Sequence, residues 1–278
     1  MKLVVDSIYV QPSTVIMSAE TRSRTKYQVL LLLCFLAFNA PAQNTAISLY
    51  ETIQVGEATY YDNTGSGGNC TISSTLPAWG NDVDFEAALS PTLYASGDQS
   101  GGCGTCFVGT YLGTGSGLTP PPAVFTGLVV DQCLGCSTED LDLAMPSGDG
   151  RWDIDWQAID CPVGNTKLAY LLQGSNSFYI KVGVRNHRIA VEAVQIQSTS
   201  SSPYITLNRT SDNFFTCSGC DTPMEYPIPI RILGVNNQVI EDFIPALVND
   251  VLQTGLENEQ FLSIDDIIFI DDFDDLGF

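Results

Sequence analysis

The alternation of hydrophobic and polar residues predicts many short β-strands rather than long helices. In the C-terminal half, strands are predicted at roughly even spacing over 168–172, 178–184, 189–196, 204–207 and 229–233. Turns rich in Gly, Ser and Asn separate them, which is typical of an antiparallel sandwich. In the N-terminal half, residues 128–130 predict a buried strand, and residues 82–89 predict one short helix.

The composition divides the chain into four segments. Residues 1–42 combine a basic stretch, an apolar run over 29–38 and a small-residue cleavage site at 40–42, which predicts a secretory signal peptide behind an N-terminal extension. Met17 is an alternative start. An uncleaved anchor is the competing interpretation, although the run falls short of the roughly 20 residues that a span needs.

Two folded domains are expected beyond the signal, because the remaining chain is long enough for two modest cores. Residues 47–162 are rich in Gly, Ser and Cys, and residues 166–247 carry the regular strand pattern. Residues 249–278 hold nine acidic residues and no Lys or Arg. Such a run is predicted to stay solvated, with a docking role left open.

The cysteines predict an oxidised, secreted protein. One of the nine, Cys34, lies in the predicted signal peptide, which leaves an even number beyond it. Disulfides are the expected state of those eight: Cys70, Cys103, Cys106, Cys133, Cys136, Cys161, Cys217 and Cys220. Zinc is the alternative, because three CxxC pairs occur. Sequons at Asn69 and Asn208 predict glycosylation sites.

The net charge of the chain limits the classes of partner that it is expected to bind. Lys and Arg number 11 against 32 Asp and Glu, a net charge of −21. Such a surface repels phosphate backbones, so nucleic acid is excluded as an expected partner, and anionic lipid and pectin are disfavoured. A neutral polymer such as β-glucan is not repelled. After signal cleavage we expect no membrane contact.

A series of motifs resembles the expansins and their microbial expansin-like relatives. They occur in the family's order: Gly56-Glu-Ala-Thr-Tyr-Tyr-Asp62, Val129-Val-Asp-Gln-Cys-Leu-Gly-Cys136, Leu141-Asp-Leu-Ala-Met-Pro146, Gly150-Arg-Trp-Asp-Ile-Asp-Trp156 and Val184-Arg-Asn-His187. The resemblance implies an all-β protein, with a six-stranded double-psi β-barrel followed by an immunoglobulin-like β-sandwich that binds polysaccharide. It further implies a monomer at the cell wall that loosens β-glucan or cellulose without net hydrolysis and without a cofactor or metal.

Three aspartates are candidate catalytic residues. Asp142 matches the acid that related family-45 endoglucanases use to protonate the leaving oxygen, and apolar neighbours would raise its pKa as a general acid needs. A turn-capping role is the alternative for Asp142. Asp131 is expected either to hold a sugar hydroxyl or to brace its loop. Asp62 would be the base of an inverting endo-β-1,4-glucanase, which is the alternative function; a purely carbohydrate-binding or defence protein is the third.

Polysaccharide contacts are expected on both domains. Thr59 and Tyr60 are predicted to line the barrel groove. On the sandwich, Phe178 and Tyr179 match an aromatic pair of the family; strand alternation favours Tyr179 as the contact and leaves Phe178 open between contact and core. Phe214 is the candidate for a third ring. The single histidine, His187, is predicted to be structural, since no nucleophile lies near it in the sequence.

Overall fold

The computed structural model describes residues 45–62, 67–75, 78–217, 220, 222–257 and 259–264. The predicted signal peptide and the last fourteen residues lie outside these ranges. The barrel and the sandwich described below belong to one compact unit. Among the described residues, no helix has the length and apolar character needed to cross a membrane.

The first half forms a closed six-stranded barrel. A short helix, α1 (Thr45–Glu51), precedes it. The barrel strands are β1 (Gln54–Tyr61), β2 (Phe85–Leu89), β3 (Cys106–Ser116), β4 (Val124–Gln132), β5 (Leu141–Ala144) and β6 (Arg151–Ile159). A one-turn helix, α2 (Pro91–Tyr94), follows β2. Around the barrel the order is β1-β5-β2-β4-β3-β6, and β6 pairs with β1 to close it. The pairs β1–β5 and β2–β4 are parallel, and the others are antiparallel.

Alternation along the strands fills the barrel. In β6 every second residue is buried: Trp152, Ile154, Trp156 and Ala158. The Trp156 ring meets Phe107 edge-on, with centroids 5.8 Å apart. Side chains of opposite parity point outward, so each barrel strand offers one row of residues to the outer surface.

The helix predicted over 82–89 is wrong. A 3₁₀ turn (Ala78–Asp82) is followed by the strand β2, which lies between β5 and β4. Ala87 and Leu89 are buried in the core. Pairing on both edges outweighs the helical preference of the alanines, because a central strand satisfies its backbone groups on both sides.

The second half forms two sheets. Their strands are β7 (Ala169–Leu172), β8 (Lys181–Arg185), β9 (Val191–Ile196), β10 (Ile205–Thr206), β11 (Asn208–Arg209), β12 (Phe215–Thr216), β13 (Ile228–Gly234), β14 (Val239–Ile244) and β15 (Leu252–Thr254). One sheet has the order β10-β9-β13-β14 and the other β11-β12-β8-β7-β15. Each of the five strands predicted in this half is present. The nearly all-β architecture, a double-psi barrel followed by a β-sandwich, is confirmed.

The start of the predicted acidic tail belongs to the sandwich. Within residues 249–264, β15 pairs with β7, and the Phe261 ring is buried in the core. The prediction that residues 249–278 stay solvated is therefore wrong for this part. Apolar residues between the acids decide the outcome, since they gain more from burial than the sparse charges lose.

All eight cysteines beyond the predicted signal peptide form disulfides, as predicted. The pairs are Cys70–Cys103, Cys106–Cys161, Cys133–Cys136 and Cys217–Cys220. The second ties β3 to the segment that follows β6, and so fastens the barrel next to the start of the sandwich. Each sulfur is bonded to another sulfur, so none is a free thiolate for zinc.

Buried cations fasten the sandwich to the barrel. Arg185 is 2% exposed, and its Nη2 donates to the Thr71 carbonyl at 3.1 Å. Arg209 donates to the Ser100 carbonyl at 3.2 Å. Burial lowers the pKa of each guanidinium to about 10. Because a buried charge is costly without partners, these contacts hold the two halves in one arrangement.

Candidate functional site

Three predicted site residues meet on one outer face of the barrel. Asp142 in β5 lies opposite Thr59 in β1 and opposite Ala88 in β2, which in turn lies opposite Asp131 in β4. The flanking residues Leu141 and Leu143 are fully buried in the core. Alternation therefore turns Asp142 outward, and the register places Thr59, Asp142 and Asp131 in a single row across four neighbouring strands.

The surroundings of the Asp142 carboxyl favour its protonated form. The Thr59 hydroxyl donates to its Oδ1 at 2.6 Å. Burial raises the pKa of Asp142, the nearby charge of Asp131 adds to this, and the Thr59 bond and the Arg151 charge oppose it. A carboxyl that keeps its proton at higher pH can donate to a sugar oxygen, either to bind it or to protonate it.

Asp131, near the end of β4, is held by two backbone amides. Its Oδ1 accepts the backbone N–H of Asn69 at 2.7 Å and that of Gln132 at 2.8 Å. Of the two roles expected for Asp131, this contact pattern corresponds to bracing. The remaining oxygen leaves it able to accept a sugar hydroxyl as well.

Tyr61 is a site residue that sequence reasoning missed. It has the same parity in β1 as Thr59, and its half-buried ring lies near the charges of Asp131, Glu86 and Asp142. Burial, and then these charges, raise the pKa of the phenol. Its hydroxyl is buried without a hydrogen-bond partner among the described residues. This buried donor lies beneath the surface of the row, next to the carboxylates whose charges raise its pKa. The signal available in the sequence was its two-residue spacing from Thr59.

The prediction for Tyr60 is wrong. Tyr60 has the opposite parity from Thr59, and its hydroxyl donates to the Thr119 carbonyl at 2.7 Å. Its ring lies against Gly148, where an added Cβ would sit 2.3 Å from the ring. Tyr60 therefore packs at the end of the barrel core rather than lining the row of aspartates.

Asp62 is not among the residues that the strand register pairs with β5. It follows the end of β1 and is exposed. It lies beyond the last residue of β1, so the alternation of that strand does not fix the direction of its side chain.

The Cys133–Cys136 disulfide forms a wall beside Asp142. The two sulfurs and a carboxylate oxygen of Asp142 lie within 4.8 Å of one another. Ligand atoms this close resemble a metal site, but both sulfurs are engaged in the disulfide. Leu134, between them, is 81% exposed at the rim. The disulfide therefore contributes shape rather than metal binding.

On the sandwich, the predicted aromatic pair is exposed. Phe178 is 59% exposed and Tyr179 is 37% exposed. Both lie in a tight hairpin before β8, closed by the backbone pair Asn176–Tyr179. The strand was predicted to start at Phe178, but β8 starts at Lys181, so alternation does not separate the two rings. Phe178 is not a core residue, and both rings face solvent.

Phe214 does not belong to this surface. Its ring is fully buried, with Lys181 Nζ 4.5 Å from the centroid and the Arg185 guanidinium 5.5 Å away. A buried ring offers no face to a sugar, so the prediction for Phe214 as a contact is wrong. The ring instead packs against Arg185, one of the two cations that fasten the sandwich to the barrel.

Comparisons with known proteins give the same family. The model of the expansin-like protein middle domain matches residues 165–258. Expansin-like protein 1 of Dictyostelium discoideum is 25% identical over 232 residues, covering 78% of this chain and 75% of the relative. Expansin-like protein 5 of the same organism is 24% identical, over 77% of this chain and 88% of the relative. The resemblance to the expansin-like family is confirmed.

Solved structures give the same fold. An expansin of Clavibacter michiganensis, determined as a point mutant in complex with cellohexaose, superposes with a TM-score of 0.59 at 22% identity. The match covers 74% of this chain and 97% of that one. The apo form of the same expansin gives the same TM-score at 21% identity. The chain thus shares the fold of that architecture in both its barrel and its sandwich.

The two sequons of the expansin-like chain differ in their surroundings. The Asn69 amide donates to the Tyr94 hydroxyl at 2.9 Å and to the Ser211 carbonyl at 3.3 Å. Asn69 is also exposed, but its amide bonds the barrel residue Tyr94 and the sandwich residue Ser211, at the edge of the seam where barrel and sandwich meet. Asn208, in β11, has an exposed side chain. Glycosylation of either residue stays a prediction, and the geometry favours Asn208.

His187 belongs to the same seam. It is 5% exposed, and its Nδ1 lies 2.9 Å from the Ile189 carbonyl oxygen. Its ring lies against Gly104 of the barrel, where an added Cβ would be 2.5 Å from Cε1. Burial lowers the pKa of His187 to about 4, and the charges of Arg185 and Arg209 act in the same direction. The imidazole is therefore a neutral packing group.

Proposed function

We propose that this expansin-like protein is secreted, binds neutral β-glucan such as cellulose in a cell wall, and loosens it without net hydrolysis. No cofactor enters this proposal. The observation that carries it is the presence of two candidate contact surfaces in one compact unit: the half-buried row of Thr59, Asp142 and Asp131 on the barrel, and the two exposed rings on the sandwich.

The two surfaces complement each other chemically. Carboxyl and hydroxyl groups on the barrel suit the hydroxyls at the edges of sugar rings. Phe178 and Tyr179 suit the apolar faces of sugar rings, and two adjacent exposed rings are costly to leave in water unless they serve a contact.

The charge supports a neutral polymer. With a net charge of −21, the protein repels polyanions such as pectin. The four disulfides fit an oxidising, extracellular setting.

Loosening without cleavage is supported by the carboxylates around Asp142. Inverting hydrolysis needs a base about 6.5–9.5 Å from the acid, on the far side of the sugar, to activate water. Asp131 is held by two backbone amides. Asp62 is exposed and lies beyond the end of β1. In this proposal Asp142 therefore binds sugar hydroxyls, and neither Asp131 nor Asp62 acts as the base of a hydrolytic reaction.

The alternative is an inverting endo-β-1,4-glucanase with Asp142 as acid and Asp62 as base. The raised pKa of Asp142 is the observation in its favour. In that case Asp62→Asn would remove a contribution of about 10²–10⁴ to the rate. A loosening protein would keep its activity in the same variant.

Binding to insoluble cellulose tests the first half of the proposal. Phe178→Ala and Tyr179→Ala should each weaken binding by about 1–3 kcal/mol, the scale of burying such a ring. Tyr204→Ala is the matched control, because Tyr204 is covered by Arg231, 3.8 Å from its centroid, on the other sheet. If folded Phe178→Ala and Tyr179→Ala bind every insoluble glucan as the unmodified protein does, the aromatic surface is not the binding site.

A further inference from the structure

The Cys133–Cys136 disulfide differs from the other three in its exposure. Both of its cysteines are half-buried, and Leu134 between them is 81% exposed. The cysteines of the other three disulfides are at most 8% exposed. A reductant must reach a sulfur atom to open a disulfide. Among the disulfides of the described residues, Cys133–Cys136 is therefore the one that a dissolved reductant reaches in the folded protein.

The loop that carries these two cysteines is also held by hydrogen bonds. At its start, the Cys133 N–H donates to the Leu89 carbonyl of β2 at 2.7 Å. After its end, the Ser137 N–H donates to Asp140 Oδ2 at 2.9 Å. Asp140 is buried, and its Oδ1 accepts the Glu57 N–H of β1 at 2.9 Å. Because none of these bonds involves a sulfur atom, they keep the loop beside the barrel when the disulfide is opened.

Reduction would leave two thiols beside a carboxyl group. The two sulfurs and a carboxylate oxygen of Asp142 lie within 4.8 Å of one another, and the Cα atoms of the two cysteines are 5.5 Å apart. Around a tetrahedral zinc ion, with Zn–S bonds of about 2.3 Å, neighbouring sulfurs are about 3.8 Å apart. The sulfurs have to separate to about this distance, and two cysteines with two residues between them are a usual zinc-binding pair.

Asp142 is oriented as a metal ligand would be. The Thr59 hydroxyl donates to its Oδ1 at 2.6 Å, which fixes the carboxyl group next to the sulfurs. Carboxylates that bind metals are themselves hydrogen-bonded in this way, and the bond sets their direction. Three protein ligands leave the fourth position of a tetrahedral ion for water. Thiolate ligands favour zinc over magnesium and calcium, which prefer oxygen.

We propose that reduction by a dithiol converts this disulfide into a Zn²⁺ site, with Cys133, Cys136 and Asp142 as ligands and water in the fourth position. The dithiol passes two electrons and two protons to the disulfide and is itself oxidised to a disulfide. The two thiols release two protons when their sulfurs bind the metal as thiolates. The metal takes Asp142 out of its row with Thr59 and Asp131, so zinc should stop wall loosening. This last consequence alone rests on the proposed function.

Cobalt binding tests the inference, because Co²⁺ occupies zinc sites and absorbs strongly in the near ultraviolet when thiolates bind it. The full-length secreted protein is treated, without denaturant, with a phosphine, which opens a disulfide and takes up the oxygen of one water molecule. Alkylation of one sample and mass spectrometry should find label on Cys133 and Cys136 alone. After removal of the phosphine, a second sample should bind one Co²⁺ per chain with thiolate absorption, and Zn²⁺ should displace it. The unreduced protein should bind none at this site.

Variants of the ligands sharpen the test. Cys133→Ser/Cys136→Ser should abolish the thiolate absorption. Asp142→Asn keeps both thiols and should lower the cobalt affinity about tenfold or more. Thr59→Val removes the bond that orients the carboxyl group and should lower the affinity about 10–100-fold, the usual effect of losing such a partner. Thermal unfolding verifies that each variant is folded.

The other internal CxxC pair provides the matched control. Cys217 and Cys220 also form a disulfide at a sequence separation of 3, but they are buried, at 8% and 6% exposure. Cys217→Ser/Cys220→Ser should therefore leave both the reduction of the exposed disulfide and the cobalt absorption unchanged. Loss of the absorption in this folded variant would place the metal at the wrong pair and overturn the inference.

Several other results would also overturn it. The inference is wrong if the phosphine leaves Cys133 and Cys136 unlabelled, if the reduced chain unfolds, or if it binds no cobalt through thiolates. Undiminished affinity in Asp142→Asn would remove Asp142 from the ligands and refute the site as proposed. If zinc binds as described but the reduced protein still extends cell walls, the metal site stands and the role of Asp142 in loosening fails. If the oxidised protein extends no wall, the proposed function fails independently of the metal.

Discussion

His187 should make the folding stability depend on pH in a window that is unusual for a carboxylate-rich protein. The usual pKa of histidine is 6.5, and burial beside Arg185 and Arg209 lowers it to about 4 in the folded chain. Between these values the unfolded chain binds a proton at this residue and the folded chain does not. Above pH 6.5 His187 therefore leaves the unfolding free energy at its full value. As the pH falls towards 4, this residue lowers the unfolding free energy, because only the unfolded chain gains the proton.

The size of the effect follows from the shift. One unit of pKa corresponds to about 1.4 kcal/mol, so a shift from 6.5 to about 4 is worth about 3 kcal/mol of unfolding free energy. This is a large part of the 5–15 kcal/mol typical of a domain. The loss of stability should weaken the contact between barrel and sandwich. The His187 ring packs against Gly104 there, and an imidazolium would face two buried cations.

Two measurements check this prediction. His187 is the single histidine of the chain, so its ring proton signals in NMR are unambiguous and give the pKa of the folded state directly. Denaturant unfolding of the unmodified protein and of His187→Gln, from pH 4 to pH 7, gives the second test. The difference between the two stabilities should shrink as the pH falls, because carboxylates titrate equally in both. A pKa near 6.5, or parallel stability curves, would refute the reasoning.

Three further predictions concern the site and its surroundings. Asp142→Asn should abolish loosening without lowering the unfolding free energy at pH 7. The substitution removes a half-buried carboxylate, whose pKa is raised by burial, and Asn can still accept the Thr59 hydroxyl; a marked loss of stability would make Asp142 a structural residue. Mass spectrometry of the protein secreted from eukaryotic cells should find glycan on Asn208 and none on Asn69, whose amide fills the seam; a folded, active form with glycan on Asn69 would contradict this. Thiol labelling after denaturation without reductant should find no free cysteine in the secreted protein, and labelling of two or more would reopen the question of zinc.

Much of the fold was accessible from the sequence because it rests on local patterns. The strands of the sandwich follow the alternation of side chains, and the even number of cysteines behind a signal peptide predicted disulfides. The barrel came from resemblance alone, since the closure of β1 on β6 depends on pairing between residues far apart in the chain. The strand at 85–89 was predicted as a helix for the same reason: its partners, β4 and β5, lie more than forty residues away.

Only part of the candidate site could be predicted from the sequence, because much of it depends on which face of β1 each residue occupies. Thr59 and Asp142 follow from motifs, and the register then joins them. Tyr60 and Tyr61 are adjacent in the sequence and chemically alike, so only the face of β1 distinguishes them. Whether the Phe178 ring is exposed depends on where β8 begins. Whether the Phe214 ring is buried depends on which cations pack against it. Those facts are set by tertiary packing, which no local pattern contains.

The central claim is loosening without cleavage, and one paired measurement tests it most directly. A strip of isolated cell wall or cellulose paper is held under constant load while the protein is added, and reducing ends are counted in the same sample. The account predicts faster extension with no increase in reducing ends, and the same extension with Asp62→Asn. Extension accompanied by a matching release of reducing ends, with both lost in Asp62→Asn, would contradict it and identify the protein as a glucanase.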